Sequence, residues 1–498
     1  MKIISSLCLF VVVFISFESC YKEEIVFDAL PNNQLELALI LELNDKACFL
    51  DRSSKTLRYS IAEDSIQNFS PYVRFQEDSE IRVKNIALIN QATNHLGKIK
   101  INEKYPVQIT TKGIKHNFTL VFTNLPIVRV VTPNQIIDEP QKLARFTINY
   151  PSDTSLKMTA FVGIDFRGGA AQFNVKKSYG FSFLNTMDLS NKTSKALFDW
   201  KKNEDWILDA MYNDKARLRN KISFEIWKAM NPSKHKAIQA RLVELYINND
   251  YQGLYSLNEQ MNAEQLELSG SEAVLYKSTG WGEGATIFEH LSSNAPLFID
   301  VWEGWEQKYP NPKDKINWQP LYDLRDMVVN KSDAEFIAQI GTQIDLELLI
   351  DYYIFLNVVA GSDNYGKNII WVRKNAQSPF FITPWDVDGS WGRFWDGARM
   401  NSDVILSNQL FERLLLLTPD NFKHKLKSRW LALRANVLRF SNIEAFYEEA
   451  FDNMKKSDIL AIEQLKWGAV IDVQQEKNYI DNWLQDRLLF LDVHFANL

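Results

Sequence analysis

The chain has 498 residues, enough for two or three domains at roughly 100–200 residues each. Hydrophobic residues at 46% and charged residues at 24% exclude wholesale disorder and a fibrous repeat. Its 56 Lys and Arg against 62 Asp and Glu leave a net charge of −6, without the basic excess of a dedicated nucleic-acid binder, and Cys8, Cys20 and Cys48 build no disulfide framework.

Lys2 gives a short positive start, and residues 3–17 form an apolar run too short for a transmembrane helix, which is the pattern of a signal peptide. The run closes at Ser16-Phe17-Glu18-Ser19-Cys20, a loose form of the small-residue box that precedes a lipidated cysteine. Behind it, Tyr21-Lys22-Glu23-Glu24 resembles the acidic export tag of Bacteroides-type lipoproteins. The expectation is a signal peptide over 1–19, lipidation at Cys20 and a tether over 20–34. The protein would then be an outer-membrane lipoprotein, periplasmic or surface-exposed, touching the membrane through its lipid alone. A plain secretory leader with an incidental Cys20 is the alternative.

From 35 to 135, short apolar or alternating runs at 35–43, 81–88, 105–109 and 118–122 are separated by Asn, Asp, Gly and Pro. They predict a β-sandwich of immunoglobulin-like type with no cluster of chemically active side chains. A turn-rich stretch over 132–140 marks the boundary. Beyond it, strands are predicted at 143–150, 157–167 and 177–184, and helices at 216–230 and 344–359, the second apolar on nearly every side. Little Gly or Pro after 404 predicts a helical end to the chain. Strands followed by helices give an α+β class, with a two-lobed unit over 140–498.

The chemistry concentrates in Gly361-Ser362-Asp363-Asn364-Tyr365-Gly366-Lys367-Asn368, a loop between the apolar helix and a strand at 369–373. An Asp with an Asn five positions on, between helix and strand, matches the catalytic loop of protein kinases, where the Asp takes the proton of the attacking hydroxyl and the Asn holds metal. A second strand at 379–383, joined through 375–378, then delivers Trp385-Asp386-Val387-Asp388-Gly389 to the same end of the hairpin. Asp386 and Asp388 share a face if the segment is extended, but a turn at Gly389 breaks the equivalence, so one is expected as main metal ligand and the other as supporting. A helix-loop-helix calcium site is disfavoured, because the run lacks the Asp, Gly and Glu that such a loop requires.

In this order the motifs resemble the CotH-type atypical kinases, named after spore-coat protein H, over about 157–492. The signatures are Phe166-Arg167-Gly168-Gly169 with Lys176-Lys177-Ser178-Tyr179, Trp206-Ile207-Leu208, Arg217-Leu218-Arg219-Asn220, Glu244-Leu245-Tyr246-Ile247-Asn248 with Gly253-Leu254-Tyr255 and Glu259, and then the acidic loops. The resemblance implies a kinase-like fold, ATP, and Mg²⁺ or Mn²⁺ held by Asn368 with Asp386 or Asp388, Asp363 being the general base. It implies nucleotide contacts from Arg167, from the backbone of Gly168 and Gly169, and from Lys176 or Lys177. Which lysine faces the cleft stays open, as does a partnership of either with Glu225; the two glycines also suit an ordinary hairpin turn. Arg217 and Arg219 either hold phosphates or brace the fold, and Glu259 either faces the nucleotide or serves as a structural acceptor.

The expected activity is phosphoryl transfer from ATP to Ser or Thr of exported proteins. Transfer to a small molecule uses the same clamp. The rival is a non-catalytic adhesin or glycan-binding factor that uses Trp281, Trp302, Trp305 and Trp318 as a platform, although buried core is the commoner fate of such aromatics. Six scattered His make no metal spacing.

Overall fold

A computed structural model describes residues 40–151 and 157–498; the leader, Cys20 and the tether lie outside them. The described chain is a mixed α+β protein. It opens with two sheets, one of four strands and one of six, that share a core including Leu43, Leu57, Tyr59, Val73, Val107 and Phe122. Alternation builds the larger sheet: Tyr105, Val107 and Ile109 of the strand Lys104–Thr111 point inward. A two-residue turn, Lys112-Gly113, with φ of 52° and 78°, reverses the chain into Ile114–Thr123, and both residues take the positive φ that a type I′ hairpin demands. Ile114–Thr123 runs parallel to Thr56–Ser60 and antiparallel to Lys104–Thr111.

Seven strands then close into a barrel in the order Ile127–Val131, Lys142–Asn149, Lys157–Arg167, Ser178–Leu184, Asp205–Asp209, Asp250–Glu259 and Ala240–Ile247, the last pairing in parallel with the first. Closure leaves no free edge. Val128, Phe146, Val162, Phe181, Phe183, Leu208, Val243 and Leu257 fill the interior. The barrel therefore begins before the turn at 132–140, which joins two of its strands instead of separating two domains. Ile127–Val131 is apolar at four of five positions because it is paired on both sides.

The helix Arg219–Met230 starts later than the predicted 216 because the Asp214 carboxylate accepts from the backbone N–H groups of Ala216, Leu218 and Arg219, each at 2.8 Å. A five-stranded antiparallel sheet follows, ordered Val301–Trp302, Trp305–Tyr309, Val274–Ser278, Ile369–Arg373 and Phe381–Pro384. Against it packs Leu346–Val359, capped by the Asp345 side chain and buried from Leu348 to Val359. Helices from Gln409–Leu417 to Val473–Ala496 complete the largest core. Trp302, Trp305 and Trp318 lie inside that core, with Tyr276 stacked on Trp318 at 5.2 Å, so the tryptophan platform is not formed. Among the described residues no helix is long and apolar enough to cross a membrane.

Candidate active site

A cleft of about 450 Å³ lies between the outer face of the barrel and the loops at one end of the five-stranded sheet. Since Tyr179, Phe181 and Phe183 fill the barrel, the alternate residues of their strand face out, and Ser178 reaches the cleft together with Arg167, Gly168, Gly169, Asp209 and Glu259. The facing wall carries Lys277, Asp363, Lys367, Asn368, Trp385, Asp386 and Asp388.

The acidic loops are fixed by their own backbone. Ser362 donates its N–H (2.8 Å) and its hydroxyl (3.0 Å) to the Gly389 carbonyl, and a Cβ on Gly389 would sit 2.8 Å from the Ser362 hydroxyl. The Asn364 amide donates to the carbonyls of Asn368 (3.1 Å) and Trp385 (2.9 Å), and the Asn368 amide donates to that of Asp386 (3.2 Å). Asn368 and Asp386 both take positive φ, 56° and 48°, so neither continues its strand. The left-handed Asp386 interrupts the extended segment, yet Asp386 and Asp388 both line the cleft while Val387 between them is buried. Asn220 accepts from the Val387 N–H at 2.5 Å and donates to Asp209 at 3.4 Å, which ties this turn to the barrel.

Burial, and after it the charge of Asp386 and then of Asp209, Asp214 and Asp363, holds the Asp388 carboxyl well above the usual carboxylate range. Burial also raises Asp209, against the hydrogen bond from the Met211 N–H. Asp363 pairs with Lys367 at 3.0 Å. Glu259 accepts from the Gln239 N–H at 2.9 Å, and burial pushes its carboxyl up to about 7. On the opposing side, burial and then the nearby Arg167 push the Lys277 ammonium down to about 7. The Arg167 guanidinium donates to the Gln260 side chain and lies 5.0 Å from the centre of the Trp385 ring.

The structure thus brings together Arg167, Gly168, Gly169, Glu259, Asp363, Asn368, Asp386 and Asp388. Gly168 has φ +96°, and a Cβ there would meet that of Ala171 at 2.9 Å.

Lys176, Lys177 and Arg217 are not in the cleft. Lys176 is fully buried, donating to Glu463 at 2.6 Å, to the Ala210 carbonyl at 3.1 Å and to the Leu254 carbonyl. Burial holds its ammonium down to about 8, against the pull of Glu463. Arg217 completes the cluster, pairing with Glu463 at 3.0 Å and donating to the carbonyls of Met211, Tyr212 and Asp214. Lys177 donates to the Gln172 carbonyl, and Glu225 pairs with Lys221. Arg219 braces the fold through Asp214 and Glu476, both at 2.6 Å. The reason is one acid distant in sequence: Glu463 draws Lys176 and Arg217 inward.

Three cleft residues escaped the sequence reading. Asp209 stands one position beyond the Trp206-Ile207-Leu208 signature, and Lys367 directly precedes Asn368. Lys277 stands in a strand with no motif of its own.

Asn368, Asp386 and Asp388 offer hard oxygen donors of the class that Mg²⁺ or Mn²⁺ takes. Among the described residues no three His, Cys, Asp or Glu side chains are placed to hold a metal ion by themselves. The set fits a cation that completes its coordination with phosphate oxygens and water, as Mg²⁺ commonly does.

The family model described as CotH kinase protein matches residues 164–491. Among curated proteins, the chain is similar to the inner spore coat protein H of Bacillus subtilis (strain 168), with 22% identity over 349 residues, covering 68% of this chain and 88% of that protein.

Proposed function

We propose, because the chain belongs to the CotH kinase family, that its cleft transfers the γ-phosphoryl group of ATP to a Ser or Thr hydroxyl of an exported protein. One observation carries the reading: Asp363, Asn368, Asp386 and Asp388 line one wall of a single cleft whose other wall holds Arg167 and the Gly168-Gly169 turn. Three carboxylates and an amide facing a guanidinium and a glycine turn suit a substrate whose phosphates are anionic and metal-bound. On this reading the barrel, and the helices with their five-stranded sheet, act as the two lobes of a kinase-like fold.

Asp363 accepts the proton of the attacking hydroxyl, and its ion pair with Lys367 fixes the direction of the carboxylate. The hydroxyl oxygen bonds to the γ-phosphorus as the bond to the bridging oxygen of ADP breaks. Asn368 with Asp386 or Asp388 would hold Mg²⁺ or Mn²⁺, which when bound offsets the charge of the phosphates. Arg167 and the backbone N–H groups of the Gly168-Gly169 turn meet the nucleotide from the barrel side. The lipid anchor on Cys20, and with it an outer-membrane location facing the periplasm or the surface, is supported by the leader pattern. The two N-terminal sheets then serve as the spacer between lipid and cleft. The glycan-binding alternative loses its support, since Trp302, Trp305 and Trp318 are core residues.

The test is incubation of the purified chain with γ-labelled ATP, Mg²⁺ or Mn²⁺ and exported acceptor proteins. Metal-dependent label on Ser or Thr is expected. Nucleotide binding with no transfer to any acceptor or to the chain itself would overturn the catalytic reading.

A further inference from the structure

With Lys176, Lys177 and Arg217 engaged elsewhere, Arg167 is, among the described residues, the one cation that the barrel side brings to the cleft, and any lysine that faces the phosphates comes from another element. Lys277 stands in the middle of the five-stranded sheet, its residue paired with Ile370 on one side and Glu306 on the other. The next carbonyl along, that of Ser278, accepts the Asn368 N–H at 2.8 Å, so the strand that carries Lys277 is bonded directly to the loop of the metal-ligand candidates. Its ammonium sits 4.2 Å from the centre of the Trp385 ring, the ring on which Arg167 also lies, and Trp385 immediately precedes Asp386.

The other cations of the cleft have partners within the protein: Arg167 bonds Gln260, and Lys367 pairs with Asp363. Among the described residues no carboxylate stands at ion-pair distance from Lys277, and its ammonium donates no hydrogen bond. A half-buried lysine held against a second cation, with an aromatic face beside it and the carboxylates of Asp386 and Glu306 beyond ion-pair distance, is left open to an anion that supplies the direct counter-charge.

The geometry points to Lys277 as the lysine that neutralises the phosphates of the bound nucleotide, beside the Trp385 ring that Arg167 also meets. The inference rests on the reading of the cleft as an ATP site. It moves the phosphate lysine from the barrel, where the corresponding strand of protein kinases bears it, to the wall that bears Asn368 and Asp386. Lysine suits this place as a compact charge on a flexible stem, able to leave the ring for a phosphate oxygen.

Calorimetry of the full chain with Mn²⁺ and ATP tests it on Lys277→Met, Lys277→Arg and, as a control, Lys176→Met. Lys277→Met is expected to weaken ATP by about tenfold or more while leaving adenosine unchanged, and Lys277→Arg to recover part of the loss. Lys176→Met is expected to lower the melting temperature and leave the ATP affinity of the folded protein unchanged. A second measurement needs no variant: acylation of Lys277 in the wild-type chain, followed by peptide mass spectrometry, should be slowed by inorganic tripolyphosphate. Lys277→Met that binds ATP within about twofold of the wild type, or acylation indifferent to tripolyphosphate, overturns the inference and leaves the ATP reading standing. A wild-type chain that binds no ATP overturns both.

Discussion

Asp363 shares its loop with the lysine that pairs with it, whereas Asp386 and Asp388 lie on a turn stapled to Asn368 and Asn220. The account therefore separates their duties. Asp363→Asn is expected to leave Mn²⁺-dependent ATP binding close to wild type in calorimetry and to lower phosphoryl transfer by roughly 10²–10⁴-fold. Loss of metal binding in that variant, as complete as in Asp386→Asn, would place all three acids in one metal site. Glu259 gives a pH-dependent prediction. Its folded-state value near 7 exceeds the unfolded 4.5, so between those two values the native state holds a proton that the unfolded chain has released, and stability falls as pH rises. Glu259→Gln removes that component. In urea unfolding its stability relative to wild type should rise by roughly 1–3 kcal/mol from the acid to the alkaline side of this window, and a difference independent of pH would contradict the assignment. At this scale the sequence marked the acids through their spacing, because a helix, a loop and a hairpin set them at fixed offsets. Lys277 escaped because its role depends on which strand neighbours the acidic loops. The misplacement of Lys176 has a similar cause, its partner being 287 residues away.

The helix Ile459–Trp467 links distant parts of the fold. Glu463 accepts from Lys176, Arg217 and the Leu254 N–H, while Lys466 pairs with Asp250 at 2.6 Å and the Trp467 indole donates to the Gln252 carbonyl at 3.0 Å. Gly253, at φ +94°, makes room, since a Cβ there would meet Glu463 at 2.8 Å. Removing the acid leaves two buried cations without it, and Glu463→Ala is expected to destabilise the protein by about 3–5 kcal/mol in denaturant unfolding. A loss within about 0.5 kcal/mol would show that the cluster contributes nothing net. Because Arg217 holds the carbonyls of the cleft-lining loop at 211–214, this helix also sets one edge of the cleft. Periodicity revealed the buried helix Leu346–Val359 and the hairpin after Asn368, where local pattern and tertiary burial agree. It misassigned Ile127–Val131, since the Pro-rich turn behind that strand is the same local signal whether it joins two domains or two strands of one barrel.

Over the whole molecule, the N-terminal sheets are not an independent bead. Arg58, fully buried, pairs with Glu244 of the barrel at 3.3 Å and with Asp458, just before Ile459–Trp467, at 2.7 Å. Lys46 donates to the Tyr150 carbonyl at 2.9 Å, and Phe49 joins Ile127, Tyr246 and Tyr251 in a small shared core. Scanning calorimetry is expected to show the N-terminal sheets and the barrel melting together, and a separate early transition of the N-terminal sheets would contradict this coupling. The mixed α+β class was legible from composition and order of patterns; the closed barrel was not, because closure depends on a parallel pairing between strands more than a hundred residues apart. The most direct test of the central claim is a crystal structure with Mn²⁺ and a non-hydrolysable ATP analogue, read by the anomalous signal of the metal. The account expects Mn²⁺ against Asn368 and Asp386 or Asp388, with the terminal phosphate facing Asp363. A nucleotide bound outside this cleft, or Mn²⁺ bound by Asp363 in place of the later pair, would contradict it.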